Sequence, residues 1–308
     1  MTNLKLAALA ACIVCFAGQS VAQTPAAPPV GPDFSTIQVK TIDLGNRTWM
    51  LEGAGGNVTV AVGDDGILMI DGQYAPMHDK LKAAITTLSP LPVKFLVNTH
   101  YHGDHTGGNE PFAKDGVTVV AHKNVRERLA AGSTSGITGA VTPPRPEIAL
   151  PAKTYDAAVG PALEIKGRTF ELKHPANAHT DGDTFVYFAD ANVLSTGDIL
   201  AIGRYANIDV LNGGNVNGMI AAVDGWLALT NDQTKIVPGH GPLATKAKLA
   251  EFGAMLATAR DRMTALIKEG KNESDILAAK PFADYDTKLN VPEAAARNFA
   301  RGVYLSLK

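Results

Sequence analysis

Cysteine is nearly absent: the 308 residues hold two, Cys12 and Cys15, both close to the start. Charge of one sign is missing as well, with 28 basic residues against 30 acidic ones and a net charge of −2. No basic run has the form of a nucleic-acid footprint, so no nucleic-acid partner is expected. Long hydrophobic runs are also lacking. The apolar stretch from Leu6 to Ala17 is too short to span a bilayer as a helix. With Lys5 before it and Ser20-Val21-Ala22 after it, residues 1–22 have the form of a signal peptide cleaved after Ala22. Leu9-Ala10-Ala11 before Cys12 also fits a lipoprotein signal, but the apolar run continues past Cys12 through Ile13, Val14 and Phe16. Cleavage would remove both cysteines. A mature chain beginning at Gln23, periplasmic or secreted and free of the membrane, would then have neither disulfide nor thiolate ligand. Any metal must be held by imidazole and carboxylate.

What is present is a sizeable stock of apolar residues, 45% of the chain, enough for a substantial core. Residues 23–35 are rich in Pro and Ala and form a linker. From residue 36 short branched runs alternate with Gly- and Asp-containing turns such as Gly63-Asp64-Asp65-Gly66, which predicts an antiparallel meander. Pro76 opens a helix whose apolar face carries Met77, Leu81, Ile85 and Leu88. Strands are predicted at 93–97, 117–120, 163–165, 169–172, 184–188, 192–194 and 236–237. Helices are predicted at 122–131 and 216–229, with helical text from about 243 to the end. Residues 132–151 carry Pro143, Pro144, Pro146 and Pro151 and predict a long irregular loop, either a functional one or a surface excursion.

Chemistry concentrates in residues 98–109, Asn-Thr-His-Tyr-His-Gly-Asp-His-Thr-Gly-Gly-Asn. Residues two apart on an extended chain point the same way, so His100 and His102 can grip one ion. Gly103 then permits a bend that aims Asp104 and His105 at a second centre. Three further candidates stand near strand ends in Gly-containing loops: His179, Asp198 and His240. Metal-bound imidazoles need an acceptor on their other nitrogen, and Asp71, Thr106 and Asn109 are candidates for such support. His78, His122 and His174 stand alone in sequence and are read as structural.

His-x-His-x-Asp-His, then His-Thr-Asp-Gly-Asp, Thr-Gly-Asp and Pro-Gly-His-Gly, in that order, resemble the metallo-β-lactamase superfamily over about residues 36–245. The resemblance implies an α/β fold, a four-layer αββα sandwich with a C-terminal helical extension, occupying residues 36–308. It also implies two metals, Zn²⁺ with Fe or Mn as alternatives. His100, His102 and His179 would hold one, Asp104, His105 and His240 the other, and Asp198 would bridge them. A metal-bound water, with its pKa lowered to about 7, would attack an amide, ester or lactone carbonyl, with Asp104 orienting it or shuttling its proton.

The chain departs from dedicated lactamases. Asp198 stands where one subclass has a ligand cysteine, and Ala201 where that subclass has a lysine for the drug's carboxylate. Asn215 matches an asparagine placed beside the substrate carbonyl, and Arg204 is a substitute cation. The expectation is therefore an exported hydrolase of small molecules, including β-lactams, lactones, esters and thioesters. The alternatives are an iron-dependent redox or sulfur-metabolism protein and a binding protein that has lost its metals. Oligomeric state is not legible.

Overall fold

Side chains alternate across strands, and that alternation sets the layers. The structure is a computed structural model and describes residues 32–135, 139 and 141–308. The signal segment and most of the linker lie outside the described residues. Strands β1 (Lys40–Gly45), β2 (Thr48–Glu52), β3 (Val58–Val62) and β4 (Ile67–Ile70) pair antiparallel in sequence order, the meander predicted from the turns. Helix α1 (His78–Leu88) then crosses to β5 (Val93–Val97), which lies parallel to β4. Helices α2 (Gly103–Thr106) and α3 (Asn109–Lys114) lead to β6 (Thr118–His122), parallel to β5. Helix α4 (Lys123–Ala131) follows, then a hairpin of two-residue strands, β7 (Ser133–Thr134) and β8 (Val141–Thr142). Strand β9 (Lys153–Tyr155) closes the seven-stranded sheet, parallel to β6.

The second sheet has four strands, β10 (Phe170–Lys173), β11 (Phe185–Phe188), β12 (Val193–Ser195) and β13 (Lys235–Val237). Helix α5 (Val216–Leu229) supplies the crossover that makes β12 and β13 parallel. Helices α6 (Lys246–Lys268), α7 (Glu273–Ala279), α8 (Ala283–Leu289) and α9 (Glu293–Leu305) complete the chain. Among the described residues no helix is long and apolar enough to cross a membrane.

Odd and even residues of each strand go to different cores. Met50, Ala61, Leu68, Ile70, Val97 and Val120 of the first sheet meet Leu172, Val186, Phe188, Val193 and Val237 of the second. Their neighbours Leu51, Val60, Ile67, Met69 and Leu96 face outward onto Leu81 and Ile85 of α1 and Phe112 of α3. On the other side Phe185, Leu194 and Ile236 pack under α5, α6 and α9 through Val223, Trp226, Leu256 and Val303. The order of layers is helix, sheet, sheet, helix. Burying a Val, Leu, Ile or Phe side chain contributes about 1.5–3 kcal/mol, and this pattern buries both faces of both sheets.

Two expectations need correction. Leu163 and Ile165 join no sheet; they are buried as side chains of the inter-sheet core, which explains their strand-like text. The stretch 132–151 is not wholly irregular. It holds the β7–β8 hairpin and a short 3-10 turn at Glu147–Ala149.

Candidate metal centre

Functional side chains enter from loops at the edge of the two sheets. Strand β5 ends at Val97, and the chain bends at Thr99, His100 and Tyr101, not extended as the spacing predicts, before the α2 turn begins after His102. That turn brings the His105 ring beside His100, with centroids 4.2 Å apart, and sets Asp104 and His105 against His240. His179 arrives from the β10–β11 loop, Asp198 from a short turn after β12, and His240 from the loop after β13. Close approach needs glycine at two places: a Cβ at Gly239 would overlap Asp198 Oδ1, and one at Gly56 would overlap the His105 ring.

Ligand atoms converge in two adjoining groups, His100, His102, His179 and Asp198 in one and Asp104, His105 and His240 in the other. His102 Nδ1 lies 3.0 Å from His100 Nε2 and 3.0 Å from His179 Nε2. Asp198 Oδ2 lies 3.9 Å from both of those Nε2 atoms and 3.4 Å from His240 Nε2. Asp198 Oδ1 is 3.1 Å from His105 Nε2, and Asp104 Oδ2 is 3.1 Å from His240 Nε2. Asp198 thus stands between the two groups, its Oδ1 facing His105 and its Oδ2 lying among His240, His100 and His179.

The outward ring nitrogens decide what the inward ones can do. His105 Nδ1 donates to Asp71 Oδ2 at 2.7 Å, and His179 Nδ1 donates to the Asn207 carbonyl at 2.7 Å. Thr99 Oγ1 spends its proton on Asp71 at 2.7 Å, so at 3.0 Å it accepts from His100 Nδ1. His102 is turned over: its Nε2 meets Asp209 at 3.1 Å, leaving Nδ1 inward. These contacts fix which ring nitrogen of each of the four imidazoles faces inward, the orientation a metal requires. Among the described residues no group makes a well-directed hydrogen bond to the buried Asp198 Oδ1. A donor set of nitrogens and carboxylate oxygens with an orphaned carboxylate oxygen at its centre fits divalent cations.

Electrostatics divide the centre. Burial, reinforced by the neighbouring histidines, holds His100 well below the ordinary histidine value and brings His179 to about 4. Burial also opposes charge on His105 and His240. There, however, Asp198 and the other carboxylates outweigh it, raising His105 well above its ordinary value and His240 to about 9. Asp104 shows the reverse balance. Burial works against its charge, but His105 and His240 hold it down at about 2.

A sequence profile of the metallo-beta-lactamase superfamily matches residues 51–240, more than half of the chain and every ligand above. The chain belongs to that superfamily. Within it, a 2,4-dinitroanisole O-demethylase subunit alpha from Nocardioides sp. (strain JS1661) is 28% identical over 179 residues, 58% of this chain and 49% of that protein. The probable metallo-hydrolase YqgX of Bacillus subtilis (strain 168) is 27% identical over 190 residues, 60% of this chain and 85% of that protein. A hydroxyacylglutathione hydrolase from Polaromonas sp. (strain JS666 / ATCC BAA-500) is 27% identical over 54% of this chain and 55% of its own. The match thus spans about half the length of the demethylase subunit and of the hydroxyacylglutathione hydrolase. Among solved structures, the metallo-beta-lactamase from Pontibacter korlensis shares the fold with a TM-score of 0.58 at 21% identity, covering 71% of this chain and 99% of its own. The sec-alkylsulfatase Pisa1 from Pseudomonas sp. does so with a TM-score of 0.67 at 19% identity, covering 86% of this chain and 50% of its own.

The superfamily ligand pattern gathers all seven expected residues, but not every flanking one. Asn215 lies beside the His179 loop, its N–H donating to the Ala178 carbonyl at 2.8 Å, but its side-chain amide is engaged elsewhere. Its Oδ1 accepts from the Asn217 backbone as the N-cap of α5, and its Nδ2 donates to the Ser306 carbonyl at 3.0 Å. Helix geometry has claimed both of its polar atoms. Arg204 is exposed, and its charge is felt at the Tyr74 hydroxyl together with those of Asp104 and Asp198. Asp71 supports His105 and, through Thr99, His100. Thr106 donates to the His102 carbonyl, while Asn109 pairs with Asn98. His78 pairs with Asp79 and Asp115, and His122 stacks on His174 with ring centroids 4.0 Å apart.

Sequence reasoning missed Asp209. It lies in a loop between Ile208 and Val210, and takes hydrogen bonds from Tyr101 Oη and from Asn212 Nδ2 at 2.9 Å besides facing His102. Burial opposes its charge, but these partners hold it well below the usual carboxylate range. The one signal was an acid set in apolar text. Behind it Arg128 pairs with Asp181 at 2.8 Å and stands 5.8 Å from the Tyr101 ring centroid.

Proposed function

We propose that the chain is an exported dinuclear metal-dependent hydrolase of small carbonyl substrates, with zinc as its metal. The observation that carries this reading is the placement of Asp198 between two clusters of imidazole and carboxylate donors. Relatives named as a metallo-hydrolase and a hydroxyacylglutathione hydrolase support the reaction class. When bound, divalent ions in such a site acidify water to a pKa of about 7 and polarise a carbonyl.

The residues do the rest. His100, His102 and His179 would hold one ion and Asp104, His105 and His240 the other, with Asp198 placed to serve either. Asp104 stays ionised, and its side chain keeps 22% of its surface open, so it orients the attacking water and takes its proton. Arg204 offers an exposed cation for an anionic substrate group. Two divalent ions among these donors, which carry only two carboxylates, would leave the centre net positive and favour substrates whose carbonyl develops negative charge.

Elemental analysis of the purified protein, with hydrolysis assays on β-lactam, lactone, ester and thioester substrates, tests this. Two zinc ions per chain and turnover of at least one class are expected. Stoichiometric iron with a visible absorption band and no hydrolysis would favour the redox reading, which the same nitrogen and oxygen donors tolerate. Export is tested by mass spectrometry of the secreted chain, expected to begin at Gln23.

A further inference from the structure

A cavity borders the ligand loop at Gly103, Thr106 and Gly107. It encloses about 330 Å³ and is walled by Phe34, Tyr74, Gly103, Leu129 and Arg145, with Glu110 on its rim. Gly103 sits between His102 and Asp104, so the cavity wall and the metal loop share a residue. Arg145 is half-buried, and among the described residues its guanidinium makes no ion pair or hydrogen bond. Its Nη2 stands 3.5 Å from the point a Cβ on Gly103 would occupy. Glu110 does not neutralise it, because that carboxylate pairs with Lys114 at 2.6 Å. The backbone of Arg145 is pinned, its N–H donating to the Leu129 carbonyl at 2.8 Å.

An uncompensated arginine fork over a glycine, in a cavity whose other walls are mainly apolar (Phe34, Tyr74, Pro76, Leu129 and Ala149) with Thr106 and Glu110 as the remaining polar side chains, matches one ligand chemistry. That is a compact carboxylate with an apolar body. The missing side chain at Gly103 leaves the guanidinium accessible from the cavity. Tyr74 packs edge-on to Phe34 at 5.5 Å, while its hydroxyl lies within the fields of Asp104, Asp198 and Arg204. One wall of the cavity thus reaches toward the metal side.

We propose that this cavity binds the carboxylate-bearing portion of the substrate, with Arg145 as the residue that selects for it. The assignment rests on the hydrolase reading for its role in turnover, but its binding chemistry can be read separately. The probe is benzoate, with benzamide as its uncharged counterpart, titrated calorimetrically into the full metal-containing chain. Benzoate should bind about tenfold more weakly to Arg145→Gln, the loss expected of one charge-assisted contact, and recover in part with Arg145→Lys. Benzamide should bind all three proteins alike, and Ala75→Trp, an exposed change at the cavity rim, should weaken both probes. Metal content, measured on each sample, should not change. Benzoate affinity that is equal in Arg145→Gln, or that follows metal content instead of residue 145, would overturn the proposal. If benzoate binding depends on Arg145 while no substrate is hydrolysed, the hydrolase reading fails and the cavity assignment stands. If substrate is hydrolysed while benzoate binding ignores Arg145, the cavity assignment fails and the hydrolase reading stands.

Discussion

His105 donates its Nδ1 proton to Asp71 Oδ2 at 2.7 Å, and the same oxygen receives the Thr99 hydroxyl at 2.7 Å. Asp71 therefore orients His105 directly and His100 through Thr99, one ring in each donor group. It does so from the left-handed region, at φ 64°, immediately after β4. Asn tolerates that backbone, so Asp71→Asn removes the charge without straining the turn. Loss of such a supporting acceptor lowers metal affinity by about 10–100-fold. Competition with a chromophoric chelator should show this, with circular dichroism unchanged; metal retained as tightly as in the unaltered protein would refute the orienting role.

The opposite corner depends on Tyr101 and Asp209. Tyr101→Phe removes one donor to a buried carboxylate while leaving the ring beneath Arg128. A loss of about 0.5–1.5 kcal/mol in denaturant unfolding is expected. Asp209→Ala should cost more, because it strands the Tyr101 hydroxyl and the His102 ring nitrogen together, and it should weaken metal retention as well. Equal stability losses in the two variants would argue against a shared unit.

The ligands were legible because chemistry had confined them to short windows, and a spacing of two or three residues is enough to imply a shared ion. Asp71 was legible as an acid between a strand and Gly72. Asp209 was not, since its partner Tyr101 is 108 residues away and only the packing of β5 against the second sheet joins them. The layers were legible only through the family resemblance, since β3 and β4 are buried on both faces and their continuous apolar text shows no alternation. Leu163 and Ile165 misled because burial between sheets demands the same side chains as a strand does, without demanding a ladder. Asn215 misled for a related reason. A side chain that looks free in a Gly-Asn pair is also the best residue to cap a helix, and here the cap prevails.

That last assignment is separable by experiment. Asn215→Ala should lower stability by about 0.5–2 kcal/mol through loss of the α5 cap. Because the amide also reaches Ser306, the C-terminal end of α9 should become more open to proteolysis. KM should stay unchanged for any substrate the protein hydrolyses. A raised KM with unaltered thermal stability would return Asn215 to the substrate.

His122 sets a pH limit on the fold that is independent of the metals. It is buried against Tyr155, stacks face to face on His174 and caps α4 by accepting from the Asn124 N–H. Burial, followed by the charge of His174, lowers it from 6.5 to about 4. In the unfolded chain the ring takes up a proton near pH 6.5, whereas the folded chain resists until about pH 4. Between those values the unfolded state binds more protons, so stability must fall as pH falls through that window and be unaffected by this group above it. Asn at 122 supplies an amide oxygen as the capping acceptor in place of the ring nitrogen and removes the titration. Chemical denaturation of the chelator-treated protein at pH 7 and pH 4.5 should therefore show a smaller drop for His122→Asn than for the unaltered chain. Parallel drops would place the acid sensitivity elsewhere, with the buried carboxylates the next groups to examine.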